Sequence, residues 1–389
     1  MDSIEKPSTA PRARVPAPRA LVTVDLDAIA HNVALLAGRV RSSGAATMAV
    51  VKADGYGHGA VPVARAAVDA GASWLGVCSV AEALPLRAAG LSVPILAWLD
   101  VPGTDFAPAI AADVDLSVAS VGELDAVIGA ANSAGRPANV HLKIDTGLSR
   151  NGCAATDWRA LVDAAAAAQR RGAVEVRAVW SHLACADEPG HPSIDAQANR
   201  FDDAYRVALA AGLRPIRHLA NSAATLSRPD LHFDLVRPGI AVYGLNPLPS
   251  KEDLRPAMSF TSSVVLVKRI AAGESVGYGH TWRAPADTTL ALVPVGYADG
   301  VPRGLSGRLR VWLGGRRRDV AGRVSMDQIV VDCGDSPVRV GDVVTLFSAG
   351  DFGEPTAREW ADELGTIDYE VVTGMYRPRI ERKYVGGES

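Results

Sequence analysis

"AVVKADGYGHG", residues 49–59, decides how the first two thirds of the chain is read. An apolar run delivers Lys52 into a turn that carries Gly55, Gly57 and Gly59 together with Tyr56 and His58. Apolar on both faces, the run has the texture of a strand covered by helices on either side. A cation at the end of such a strand needs a partner or a task, because burying an ammonium group is costly.

The same texture recurs outward from this stretch. "SWLGVCS", "VPILAWL", "DVDLSVAS", "NVHLKID", "VRAVWSHL", "IRHLAN" and "LVRPGIAVYG" follow in order, short and rich in β-branched residues. Alanine-rich amphipathic stretches lie between them, such as "GAVPVARAAVDAG", "SVAEALPLRAAG" and "TDWRALVDAAAAAQRRG". Several open after Ser or Thr and stop at Gly, as helix caps predict. Eight β–α units in one stretch predict an α/β domain, a (β/α)8 TIM-type barrel over residues 21–250, in preference to a doubly wound open sheet. After about Ala257 the runs become Val-rich and are separated by Gly, Asp and Pro. That change predicts a mainly β C-terminal domain over residues 251–389, with the boundary inside "PLPSKEDLRP". Residues 1–20, rich in Pro, Ala and Arg with no apolar core, read as a disordered tail.

Composition removes several classes of function. A net charge of −3 over 389 residues favours neither nucleic acid nor an anionic membrane as partner. No apolar run approaches the roughly 20 residues that span a bilayer. The 4 cysteines are widely spaced, which argues against a disulfide framework or a zinc knuckle and suits a reducing cytoplasm.

In such a barrel, chemistry belongs at the carboxyl ends of the strands. The first run ends in Lys52, with Tyr56 and His58 behind it. The fifth ends in Lys143 and Asp145, with Arg150 beyond. The sixth ends in His182 and then Asp187, the seventh in Asn221 and Ser222, and the eighth contains Arg237. Taken singly, each is better read as a solvated, paired or hydrogen-bonded residue; several at one rim shift that balance. A rim lysine whose pKa is lowered by desolvation and by neighbouring cations becomes an amine nucleophile toward an aldehyde. Pyridoxal 5'-phosphate is the natural partner for such a lysine. Ser222, opening the helix of "NSAATL", and Gly239 and Ile240 in "RPGI" are candidates for the phosphate.

"VVKADGYGHG" resembles the cofactor-lysine motif of bacterial alanine racemases. "LKIDTGLSRNG", "HLANSAATLSRPD", "VRPGIAVYG", "SVGYGHTW", "VPVGYADG" and "RVSMDQ" are similar to later segments of that family, in the same order, and the flavour is actinobacterial. The resemblance covers about residues 20–370. It implies a pyridoxal-phosphate enzyme that works as a head-to-tail homodimer and interconverts L- and D-alanine, supplying D-alanine for peptidoglycan.

By the resemblance, Lys52 bonds the cofactor and Tyr278 of the partner chain faces it. The implied partners of the cofactor are Arg237 at the pyridine nitrogen, Arg150 at the phenolic oxygen, and Tyr56, Ser222, Gly239 and Ile240 at the phosphate. Arg150 and the backbone of Met326, again from the partner, are implied to take the substrate carboxylate. Lys143 is expected to be carbamylated and to hold Arg150. His182 is expected to link Tyr278 to Arg237 and so favour the phenolate. Asp187, Tyr297 and Arg303 correspond to the family's substrate entrance. The family's C-terminal phosphate tyrosine is assigned to Tyr376 in "EVVTGMYRPRI", with Tyr369 nearby, and Trp98 stands where the family often has a smaller apolar residue. Alternatives are a decarboxylase on the same fold, opposed by Arg237; a non-catalytic pyridoxal-phosphate carrier, opposed by the β domain; and a serine or broad-specificity racemase, separated from alanine only by pocket volume.

Overall fold

The computed structural model describes residues 18–387. Eight parallel strands form the first domain: β2 (Ala46–Val50), β3 (Trp74–Val77), β4 (Ile95–Ala97), β5 (Val114–Val118), β6 (Ala138–Lys143), β7 (Val174–Trp180), β8 (Ile216–His218) and β9 (Leu235–Val236). Each lies beside its sequence neighbour, and β2 pairs with β9. The remaining seam, β8 to β9, is bridged by Asp234 N–H to Arg217 O (3.1 Å) and Arg237 N–H to Ala220 O (2.9 Å). The expected (β/α)8 barrel is therefore observed, near-closed, with helices outside.

Local chemistry explains the helices. Ser120 caps Val121–Ala134 through Glu123 N–H, and Gly135 ends it in the left-handed region. The period of two along the strands sorts the side chains. Ala138, Val140 and Leu142 of β6 belong to the main core, which leaves Asn139, His141 and Lys143 on the opposite, inner face. Met48, Leu96 and Leu235 form a separate small core with Trp74, Trp98 and Ile216. The barrel interior thus holds an apolar plug with polar side chains set around and above it.

The C-terminal domain is mainly β, as expected. Its largest sheet runs in the order 317–319, 310–313, 343–347, 258–263, 21–25, 381–385. Residues 21–25, placed by the sequence within the barrel domain, form instead β1 (Leu21–Asp25) of this sheet. It pairs antiparallel with β10 (Met258–Ser263) and parallel with Glu381–Val385. An alternating buried pattern suits such a sheet, in which Val22 and Val24 face the core. Only after Asp25 caps the helix Leu26–Val40 does the chain enter the barrel. Of the expected tail, residues 1–17 lie outside the described residues. Arg19 is exposed but donates to Asp327 O at 2.6 Å, and Ala20 is packed, 1% exposed with its carbonyl accepting from Glu381 N–H at 2.9 Å. No helix among the described residues is long and apolar enough to cross a membrane.

Candidate active site

Lys52 leaves β2 between two neighbours: Val50 N–H bonds Pro238 O and Val51 N–H bonds Gly76 O. The turn that follows is left-handed. Ala53, Asp54, Gly55 and Tyr56 have φ of 52°, 51°, 62° and 51°. Each such residue with a Cβ costs about 1–2 kcal/mol, so the turn needs external support. Asp54 accepts from Ala60 N–H (2.8 Å) and pairs with Arg382 (2.8 Å), while Ala53 N–H donates to Glu82 (2.9 Å). His58 Nδ1 lies 3.1 and 3.0 Å from the carbonyls of Gly55 and Tyr56. Gly57 and Gly59 serve a close approach: a Cβ would collide with Val372 O at the first and with Tyr384 Oη at the second.

Four cations meet at the barrel mouth. Burial lowers the Lys52 amine, and Arg150 adds to this against Cys78 and Glu82. Lys143, 6% exposed with Nζ 4.3 Å from the Trp180 ring centre, is pushed down to about 8 by burial and then by Arg237, Arg150 and Lys52. Arg237 is 4% exposed, and burial alone brings it to about 9, so it stays charged at neutral pH. Its Nη2 donates to Ser181 O (2.7 Å) and Leu219 O (3.1 Å) and reaches His182 Nδ1 at 3.4 Å. Burial and then Arg237 hold His182 well below the usual imidazole range. Trp98 stands 5.9 Å from Lys52 Nζ and fits only because residue 76 is glycine, where a Cβ would come 2.7 Å from its ring.

Ser222, Gly239, Ile240 and Tyr56 also converge. Ser222 Oγ accepts from Gly239 N–H (2.8 Å) and Ala241 N–H (3.3 Å). A Cβ at Gly239 would strike Tyr56 Oη, so the phenol lies directly against this backbone. Burial raises the Tyr56 phenol and keeps it neutral.

The remaining candidates sit elsewhere. Tyr278 is 72% exposed and Met326 53% exposed, both on the C-terminal domain. Tyr278 and Ser325 line one surface cleft of about 540 Å³. Tyr297 joins the Met326 turn, its N–H donating to Ser325 O at 3.0 Å. Arg303 is exposed on the same domain, and Asp187 is exposed just beyond β7. The structure sets Tyr376 apart from Tyr369. Tyr376 is 65% exposed with Arg382 over its ring, whereas the Tyr369 ring lies 6.1 Å from Tyr56.

Three residues in the barrel escaped the sequence reading: Asp115, His141 and His218, all buried. The available signal was a polar residue inside or closing a short barrel strand: Asp115 in VDLSV, His141 in ANVHLK and His218 at the end of IRH.

The fold and this mouth define a two-domain (β/α)8 enzyme built to hold an anionic group beside a desolvated lysine. Residues 24–247 match the family described as alanine racemase, N-terminal domain, and residues 257–384 match alanine racemase, C-terminal domain. The alanine racemase of Salinispora arenicola is 56% identical over 370 residues, covering 95% of this chain and 99% of that one. The crystal structure of alanine racemase from Streptomyces lavendulae superposes with a TM-score of 0.93 at 49% identity, covering 96% of this chain and 99% of that one. The Streptomyces coelicolor alanine racemase gives 0.92 at 51% identity, covering 95% and 98%. The chain belongs to the alanine racemase family, whose members depend on pyridoxal 5'-phosphate. The mouth fits that group: cations cluster with Lys52 where an anionic group would be held, and Gly239 lets the Tyr56 phenol close on the backbone beside Ser222.

Proposed function

We propose that this chain is a cytoplasmic alanine racemase, acting as a head-to-tail homodimer and supplying D-alanine for peptidoglycan. The observation that carries the reading is the desolvated Lys52 amine among Lys143, Arg150 and Arg237 at one barrel mouth. When bound, pyridoxal phosphate supplies the electron sink that makes the α-proton of alanine removable.

Lys52 holds the cofactor covalently and moves the proton at one face of the α-carbon. Tyr278 of the partner subunit moves it at the other, which is what inversion requires. Its exposure in the single chain supports that role. Ser222, Gly239, Ile240, Tyr56 and Tyr369 would hold the phosphate. Arg237 would face the pyridine nitrogen as a donor that does not yield its proton at neutral pH. Through His182 it would also favour the phenolate of Tyr278. Arg150 and the Met326 N–H bind the substrate carboxylate, and Asp187, Tyr297 and Arg303 line the entrance.

A carbamate on Lys143 would turn a cation into an anion that holds Arg150. The lowered amine supports this, since only the neutral form reacts with carbon dioxide.

Complementation tests the shared site. Lys52→Ala and Tyr278→Phe homodimers should each fail to racemise alanine. Mixed after subunit exchange, they should recover about a quarter of wild-type activity, because half the dimers contain one intact site. No recovery, with exchange demonstrated, would exclude a site built from two chains.

A further inference from the structure

Beside the cation cluster, the barrel interior holds a row of polar groups to which none of the roles above extends. Asp115 on β5, His141 on β6 and His218 on β8 are 1%, 0% and 0% exposed. Arg237 Nη1 lies 3.1 Å from His218 Nδ1, His218 Nε2 lies 2.9 Å from His141 Nδ1, and His141 Nε2 lies 3.1 Å from Asp115 Oδ2. Asn139 closes the row by donating to Asp115 Oδ1 at 3.0 Å. Trp180 stacks on His218 at 5.4 Å and 14°, and Trp74 meets His141 edge-on at 5.6 Å. The imidazoles therefore have little room to turn.

The protons in this row have one consistent arrangement. A guanidinium only donates, so His218 Nδ1 must accept and its proton sits on Nε2. His141 Nδ1 then accepts, and its own proton sits on Nε2, aimed at a carboxylate. Each link has one donor and one acceptor, and neither imidazole needs a second proton. Burial and then Arg237 hold His218 well below its usual range, in keeping with a neutral ring.

We infer that Asp115, His141 and His218 are positioning residues for Arg237, a one-directional hydrogen-bond chain that fixes the plane of the guanidinium and anchors its charge on a buried carboxylate. The inference rests on the proposed role of Arg237 toward the cofactor and His182. Polarised in one sense along its length, the chain strengthens each link. It also accounts for a buried guanidinium whose direct acceptors at Nη2 are carbonyls and His182 rather than a carboxylate.

The test is nitrogen-15 NMR of histidine-labelled full-length protein, with and without cofactor. His141 and His218 should both carry their proton at Nε2, and His218 should stay neutral across the range of about pH 5 to 8 where a free imidazole titrates. Either ring charged, or protonated at Nδ1 instead, overturns the chain.

Two variants give the kinetic side. His141→Leu removes both links and should lower kcat about tenfold with KM within about twofold; His218 keeps its proton on Nε2 opposite Arg237, but its Nε2–H resonance should shift as the acceptor is lost. His141→Gln keeps one acceptor and one donor; it should restore that resonance and most of kcat. Equal losses in both variants with the His218 Nε2–H resonance unmoved would reduce the row to packing. Correct tautomers in a protein that does not racemise alanine would sink the proposed function and leave the chain standing. Racemisation with the wrong tautomers would do the reverse.

Discussion

Replacing Lys143 with Met tests the electrostatic reading of the barrel mouth. The amine falls from 10.5 to about 8, through burial first and then through Arg237, Arg150 and Lys52. Between those two values the folded chain binds fewer protons at this site than the unfolded chain does. Stability therefore rises with pH from about 8 to 10.5, and the penalty is fully present below 8. At ~1.4 kcal/mol per tenfold, the penalty is about 3 kcal/mol. The cation–π contact with Trp180, 4.3 Å from Nζ, offsets about 1 kcal/mol of it. Methionine keeps an unbranched, flexible side chain and removes the charge.

Equilibrium urea unfolding of cofactor-free protein in buffer free of carbon dioxide is the assay. At neutral pH the variant should be more stable by about 2 kcal/mol, with the gap closing as pH approaches 10.5. Added bicarbonate should stabilise wild type and leave the variant unchanged, because an anion at Lys143 relieves the neighbouring cations. A gap that does not vary with pH, or wild type more stable throughout, refutes the reasoning.

Other substitutions probe the rest of the site. Tyr369→Phe should weaken cofactor binding several-fold in a fluorescence titration while Tyr376→Phe leaves it unchanged; the opposite order would restore the sequence-based assignment. Gly239→Ala places a methyl group against Tyr56 Oη, whose ring is held by Tyr243 at 4.8 Å. Overpacking of this kind costs about 1–3 kcal/mol, and because the clash lies within the chain itself it should lower the urea midpoint of the cofactor-free protein; an unchanged midpoint would count against the close approach. Tyr278→Phe should stop racemisation yet leave the α-proton of one enantiomer, and not the other, exchanging with D2O by proton NMR.

How much of this was legible in the chain follows from which forces are local. The barrel strands were, because burial on both faces imprints a short apolar run on each, and helix caps mark the gaps. The place of β1 was not: its partners, Met258–Ser263 and Glu381–Val385, lie more than 200 residues away, and alternation states that a strand is half-buried without saying against what. Lys52, Lys143, His182 and Arg237 were legible as strand-end residues, and the structure brings them together. Tyr369 and Tyr376 were not separable, because the motif match in this segment can shift along the chain and only the folded structure sets Tyr369 beside Tyr56. Asp115, His141 and His218 sit on three different strands, so their alignment exists only after closure.

The Lys52 turn shows what the second domain does for the first within a single chain. Ala53, Asp54 and Tyr56 hold left-handed conformations that together cost about 3–6 kcal/mol. Such a turn persists only where its surroundings over-determine it. Part of that support is barrel-borne, from Glu82 and His58. The rest comes from the far end of the sequence: Arg382 pairs with Asp54, Val372 O presses on Gly57, Tyr384 covers Gly59, and Tyr369 flanks Tyr56. Residues 369–384 thus brace the segment that carries the lysine, and β1, clamped between β10 and Glu381–Val385, ties the start of the barrel to the same sheet. The C-terminal domain is needed twice: in its own chain to hold the Lys52 turn, and, on the proposed reading, in the partner to supply Tyr278.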